Sequence, residues 1–129
     1  MQLLLLAIAL ATQLETPSVE RGQWVEMERR PEVTSYIDVA NIGGSGQRRT
    51  VWIRADYATV SSNTGNSRTF FLMDADCGPR SMALVRYVGF DRTGNQTNAQ
   101  VIAPERRQAL PTQPNTMGGR VTARICRTP

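Results

Sequence analysis

The chain has 129 residues, with 15 Lys and Arg residues against 11 Asp and Glu residues and no His, so its net charge is +4. Every basic residue is Arg, which excludes Schiff-base chemistry on Lys, and the commonest general base, His, is missing as well. This length predicts a single domain, and the 40% hydrophobic and 20% charged residues exclude a disordered chain.

The N-terminal residues 1–11 form a short apolar run that ends in small residues, a pattern typical of a signal peptide. The run is too short to span a membrane, and no Cys follows it, so we expect no lipid anchor. A buried N-terminal helix or strand is the alternative interpretation. Residues 12–22 are polar and predict a tether, and residues 23–129 form the predicted domain. We therefore expect export to the periplasm or the cell surface.

Alternating apolar and polar residues predict strands at residues 23–28, 34–38, 49–58, 69–77, 80–90 and 97–102. The clearest strand, residues 49–58, places Val51 and Ile53 on one face and Trp52 and Arg54 on the other. Residues 41–46 form a Gly-rich turn, and the short connections between strands favour antiparallel neighbours. Prolines interrupt residues 104–115, where we expect an irregular connection.

The C-terminal segment, residues 116–126, fits two structures. Met117, Val121 and Ile125 have helical spacing, and Thr116 would cap such a helix. Val121 and Ile125 also alternate with polar residues as in a strand, and the adjacent Gly pair counts against a strong helix. The residue pattern alone leaves both structures open.

Cys77 and Cys126 make an even cysteine count in a small, exported chain, which favours one disulfide. The bridge would hold the C-terminal end of the chain and would stabilise the fold by about 4 kcal/mol in the chain-entropy model. Two free thiols in a reducing compartment are the alternative.

Several motifs follow one another in a distinctive order. Trp24 is followed by Tyr36-Ile37-Asp38, by Val51-Trp52, by Asp56-Tyr57 and by Asp76-Cys77, and the order ends at Cys126. This order resembles the bacterial surface-adhesin protein E family over residues 23–126.

The resemblance implies an α+β, mainly β fold, in which a single antiparallel sheet of about six strands carries a C-terminal helix packed on it. It thus favours a helix in the C-terminal segment. It also implies a non-enzymatic binding protein that acts by adhesion or protein–protein contact, because the founding members bind host extracellular-matrix and plasma glycoproteins. A homodimer is compatible with the resemblance. A structural role in the periplasm, without a host ligand, is the alternative function.

Five residues are candidates for contact with a protein, glycoprotein or glycosaminoglycan partner: Arg48, Arg49, Arg68, Trp52 and Arg54. Arg48 and Arg49 begin a strand, and we expect Arg68 near the same end of the sheet. Trp52 is the best candidate for a binding hot spot if the C-terminal helix covers the other face. The other aromatic residues of the motif set, Trp24, Tyr36 and Tyr57, are expected to anchor the core.

Asp56, Asp74 and Asp76 are the only candidates for acid–base chemistry or for holding a hard cation. Cross-strand pairing with Arg54 and Arg86 is the favoured interpretation of these carboxylates. The chain has no His or Lys to activate a Cys or Ser nucleophile, so we expect no enzyme, no cofactor and no metal. Nucleic-acid binding is not expected, because the Arg residues are dispersed and form no basic run.

Overall fold

Strands form in this protein where apolar and polar side chains alternate. The computed structural model describes residues 17–127, so the predicted signal peptide and the start of the predicted tether lie outside the described residues. The elements are β1 (Trp24–Arg29), β2 (Val33–Asp38), β3 (Gly43–Ser45), β4 (Arg48–Tyr57), β5 (Arg68–Asp76), β6 (Ser81–Phe90), β7 (Gln96–Val101), β8 (Leu110–Pro111) and α1 (Met117–Cys126). Within residues 17–127, no helix has the length and apolar character needed to cross a membrane.

The strands form one antiparallel sheet in the order β1-β2-β4-β5-β6-β7, which curls into a half-barrel. The short strands β3 and β8 add to β4 and β6, respectively. The predicted fold class is confirmed, including the C-terminal helix packed on the sheet. β3 lies in the segment that the sequence predicted as a turn, and β8 lies in the predicted irregular connection.

The core lies between α1 and one face of the sheet. Ile37 of β2 and Val51 and Ile53 of β4 pack in one buried cluster with Val121 and Ile125 of α1. Because side chains alternate along β4, the residues between these core positions point to the opposite face. We call that opposite surface the open face.

Two close contacts explain how α1 forms despite its two glycines. The Thr116 side chain accepts a hydrogen bond from the backbone N–H of Gly119, which caps the first turn. A Cβ atom at Gly119 would overlap the carbonyl of Gln113, so only glycine allows the preceding segment to pass this close. Gly118 has ordinary van der Waals space around it.

The two ends of α1 are tied to the sheet by different interactions. Arg120 donates to Glu28 of β1 over 2.8 Å, and hydrogen bonds from Arg30 and Arg120 lower the pKa of Glu28. At the other end, Cys126 forms a disulfide with Cys77, which follows β5, with a Cα–Cα distance of 5.7 Å. The predicted disulfide is therefore confirmed, and the alternative of two free thiols is wrong.

Candidate functional site

Arg54 lies on the open face, but its guanidinium is buried between two aromatic rings. Its Cζ atom is 4.0 Å from the ring centroid of Tyr36, which lies directly opposite on β2, and 5.1 Å from that of Trp24. Arg54 is only 6% exposed, and both of its contacts with Asp56 are hydrogen bonds, of 3.2 and 3.1 Å. The cation is thus used inside the protein, which argues against a direct contact with a ligand.

Asp56 forms an ion pair with a second Arg at the same end of the sheet. The Nε atom of Arg68 donates to the Oδ1 atom of Asp56 over 2.7 Å, and Arg68 lies directly across from Asp56 in the β4–β5 pairing. Because Asp56 accepts from both Arg54 and Arg68, its carboxylate compensates two cations. The predicted pairing of Asp56 with Arg54 is found, but within β4 rather than between strands, and the cross-strand partner of Asp56 is Arg68.

The structure does not bring Arg48 and Arg68 together. Arg48 starts β4 opposite Asp76, whereas Arg68 is opposite Asp56, so the two are about 27 Å apart along the strands. The expectation that they share one end of the sheet is wrong, because antiparallel pairing places the start of β5 beside the end of β4. Arg49 is 7% exposed and donates to the backbone carbonyl of Gly46 over 3.0 Å.

Arg48 remains a surface cation with a carboxylate neighbour. Its side chain is 68% exposed, and its NH1 atom is 3.6 Å from Asp76. The pKa of Asp76 is lowered, first by the hydrogen bond from Gln47, then by the Gly78 backbone N–H and by the charge of Arg48. An exposed pair of this kind contributes little to stability, so Arg48 is accessible to a partner at small cost.

The same registers separate the three Asp residues that were candidates for catalysis. Asp76 pairs with Arg48 at one end of β4, while Asp56 lies at the other end of β4. Asp74 pairs with Thr50, six positions from Asp56 along the strand. Among residues 17–127, no group of three or more carboxylate or thiol side chains is placed to hold a metal ion.

Trp52 is half-buried on the open face, which α1 does not cover. It starts a row of residues that face one another across four strands, where Trp52 pairs with Leu72, Leu72 with Arg86, and Arg86 with Val101. The guanidinium of Arg86 lies 6.0 Å from the Trp52 ring, and Val101 is 58% exposed. We call Trp52, Leu72, Arg86 and Val101 the cross-strand row.

The cross-strand row has the composition of a protein-binding surface. It joins an aromatic anchor and an Arg to two aliphatic side chains, and Trp and Arg are the residue types that contribute most to interfaces. The sequence pointed to Trp52 but not to the other members of the row. Leu72 faces Trp52 in the regular β4–β5 pairing, and the register shift between Leu72 and Met73 then places Arg86, rather than Val85, opposite Leu72.

The end of the open face around Trp24 is covered by the chain itself. The indole Nε1 of Trp24 donates to the backbone carbonyl of Ser18 over 3.2 Å. Residues 17–20 line a cavity of about 330 Å³ together with Phe70 and Phe90, whose rings meet edge to face. Trp24 also contacts Phe70, with ring centroids 5.7 Å apart, so these aromatic residues are structural.

A family model described as Surface-adhesin protein E matches residues 24–127, nearly all of the residues that the structure describes. Neither a curated protein nor a solved structure matches the chain. The match begins at Trp24 and includes every strand, α1 and both cysteines. The resemblance drawn from the ordered motifs is confirmed.

Proposed function

We propose that this chain, which belongs to the surface-adhesin protein E family, is an exported, non-enzymatic protein that binds a partner protein through the cross-strand row. The family match supports adhesin-like binding and a location outside the cytoplasm. The position of Trp52 supports the choice of this surface, because Trp52 is half-buried on the face opposite the one on which α1 packs.

A protein surface suits the row better than a sulfated polysaccharide does. Binding such a polyanion needs several cations within reach of one another, and the candidate Arg residues are spread over both ends of the sheet. A Trp ring beside an Arg and aliphatic groups instead favours burial against a complementary protein. Extracellular-matrix and plasma glycoproteins are the ligand class, and the homodimer stays a prediction.

Binding of the purified, oxidised protein to immobilised laminin, vitronectin and heparin, in a salt series, tests this function. We expect saturable binding to at least one of the two glycoproteins, and Trp52→Ala should weaken it about thirtyfold, since a central hot spot contributes about 2 kcal/mol. Leu110→Ala is the matched control, because Leu110 is 62% exposed and lies outside the row.

Each other outcome counts against a particular part of the proposal. Equal binding by the wild type and Trp52→Ala would refute the row as the site. Binding to heparin alone, lost at high salt and weakened by Arg48→Ser, would favour a polyanion ligand. No binding by a folded protein would favour the structural role in the periplasm.

A further inference from the structure

α1 covers only part of its own sheet face, and a groove of about 410 Å³ lies on the rest. The C-terminal end of α1 is bonded to Cys77, beyond the end of β5, whereas the groove lies around the first half of β5. We call it the amide groove, after its two Asn side chains. Its lining residues belong to β4, β5, β6, β7 and the β4–β5 loop. Its rings, its aliphatic side chain and its amides are those of Tyr57, Asn66, Phe71, Leu84, Tyr87 and Asn98.

The amide groove has the size of a small-molecule site and carries no charge. Its volume falls within the range of about 300–1,000 Å³ that such sites occupy. None of its lining residues is ionisable near neutral pH, although charged residues make up 20% of the chain. An ionised ligand would lose its hydration there without gaining a counter-charge, so the groove favours a neutral ligand.

The apolar part of the groove consists of three aromatic rings and Leu84. Phe71 of β5 lies directly across from Tyr87 of β6, and Leu84 lies on the same side. Tyr57 closes the end of β4, where its hydroxyl donates to Thr69 over 3.2 Å. Flat, partly exposed rings with fixed orientation offer a platform for the C–H face of a ligand.

The polar part of the groove holds both donors and acceptors in fixed positions. Asn66 is 5% exposed, and its amide nitrogen donates to Thr69 and to the Oδ1 atom of Asn98, over 3.2 and 3.3 Å. This holds the Asn98 side chain by its oxygen, and no hydrogen-bond partner for its Nδ2 group is found in residues 17–127. The hydroxyl of Tyr87 donates to Gln100 and keeps its lone pairs as acceptors.

These features point to one ligand chemistry. A purely apolar ligand would leave the Asn98 amide group without a partner, and an ionised ligand would lack a counter-charge. A neutral sugar has hydroxyl groups that donate and accept, and it has an apolar C–H face that stacks on rings. We propose that the amide groove binds a neutral saccharide, with Tyr87 as the stacking platform and Asn98 as a hydrogen-bond donor. The groove is on the face opposite the cross-strand row, so this site is independent of the proposed protein-binding surface.

Nuclear magnetic resonance tests the site directly in the ¹⁵N-labelled, oxidised protein. The probes are chitotriose, maltotriose and lactose, with glucuronate as the charged comparison. We expect at least one neutral probe to cause saturable shifts of the Asn66 and Asn98 side-chain amide signals, while the signals of Asn41 and Asn115, which lie outside the groove, stay fixed. Glucuronate should cause no such shifts, because the groove has no cation.

Variants then separate the groove from the opposite face. Tyr87→Ala should weaken saccharide binding about tenfold, because it removes the stacking ring and the area that the ring buries against the sugar. A tenfold change corresponds to about 1.4 kcal/mol of binding free energy. Trp52→Ala, on the open face, should leave it unchanged. If Tyr87→Ala does not fold, Asn98→Ala on the exposed strand β7 replaces it, with the same direction of effect.

The proposal is overturned if no neutral probe shifts the groove amides, if the shifts map to the open face, or if the folded groove variant binds as tightly as the wild type. The two proposed sites lie on opposite faces and are tested by different variants. Failure of the saccharide site therefore leaves the protein-binding proposal standing, and failure of protein binding leaves the saccharide site standing.

Discussion

At the scale of single residues, Arg54 is a candidate for ligand contact that the structure buries inside the protein. The alternation of β4 predicted that Arg54 shares a face with Trp52, and the structure agrees. That face is not uniform, however. Trp24 and Tyr36 enclose Arg54, and Asp56 neutralises it, whereas Trp52 has only Arg86 as a ring partner among the described residues. The same strand face therefore holds a buried guanidinium and a half-buried ring.

We predict that Arg54→Lys destabilises the protein by about 2 kcal/mol, because Lys loses the stacking on two rings and the paired hydrogen bonds to Asp56. Urea denaturation followed by Trp fluorescence measures this change. Arg92→Lys, in the exposed β6–β7 turn, is the matched control and should change stability by less than about 0.5 kcal/mol. Equal stability of the two variants would mean that the ring stack contributes nothing.

At the scale of elements, α1 depends on a close approach that glycine alone permits. The carbonyl of Gln113 occupies the space that a Cβ at Gly119 would need, whereas Gly118 has ordinary contacts with Met82 and Thr112. The two adjacent glycines thus differ in function. One allows the connection from β8 to fold back on the helix, and the other only lowers helix propensity.

We predict opposite effects for the two alanine substitutions in α1. Gly119→Ala should destabilise the protein by about 2 kcal/mol or more, because the overlap is with backbone atoms. Gly118→Ala should be neutral or stabilise by up to about 1 kcal/mol through higher helix propensity. Thermal unfolding monitored by circular dichroism compares them, and a similar loss in both variants would contradict the assigned contact.

Sequence patterns located the long strands, because alternation and turn residues are local signals. The alternation on β4 also indicated that Arg49 is buried, because Arg49 falls on the same strand face as Val51 and Ile53. β3 was not predicted because it is three residues long and holds two glycines, so it lacks an apolar pattern. The cross-strand row could not be predicted, because it depends on the register of four strands and on one irregularity between β5 and β6.

At the scale of the whole molecule, the sheet is closed on one side by a short helix and a single covalent link. The disulfide joins residues 49 positions apart and holds the end of α1 beside the end of β5. For a chain of this size, the free energy of unfolding is about 5–15 kcal/mol. The link therefore supplies a large part of the stability.

We predict that the double substitution of Cys77→Ser and Cys126→Ser lowers the free energy of unfolding by about 4 kcal/mol. Urea denaturation should show the same midpoint for this variant as for the wild type in reductant, since both lack the link. A midpoint in reductant that equals that of the oxidised protein would refute the contribution of the bridge. A large difference between the reduced wild type and the double variant would point to a packing effect of the substitutions instead.

The strand order also determines when the core can close as the chain emerges from its N-terminal end. Each strand of the main sheet pairs with a near neighbour in the chain, so the sheet can grow hairpin by hairpin. The helix that covers it comes last, and its Arg120 meets a Glu28 that was made 92 residues earlier. Until residues 117–126 emerge, the growing sheet presents Ile37, Val51 and Ile53 to water, and Cys77 has no cysteine partner in its own chain. A chain that emerges N-terminus first is therefore most open to aggregation and to wrong thiol partners just before its helix appears.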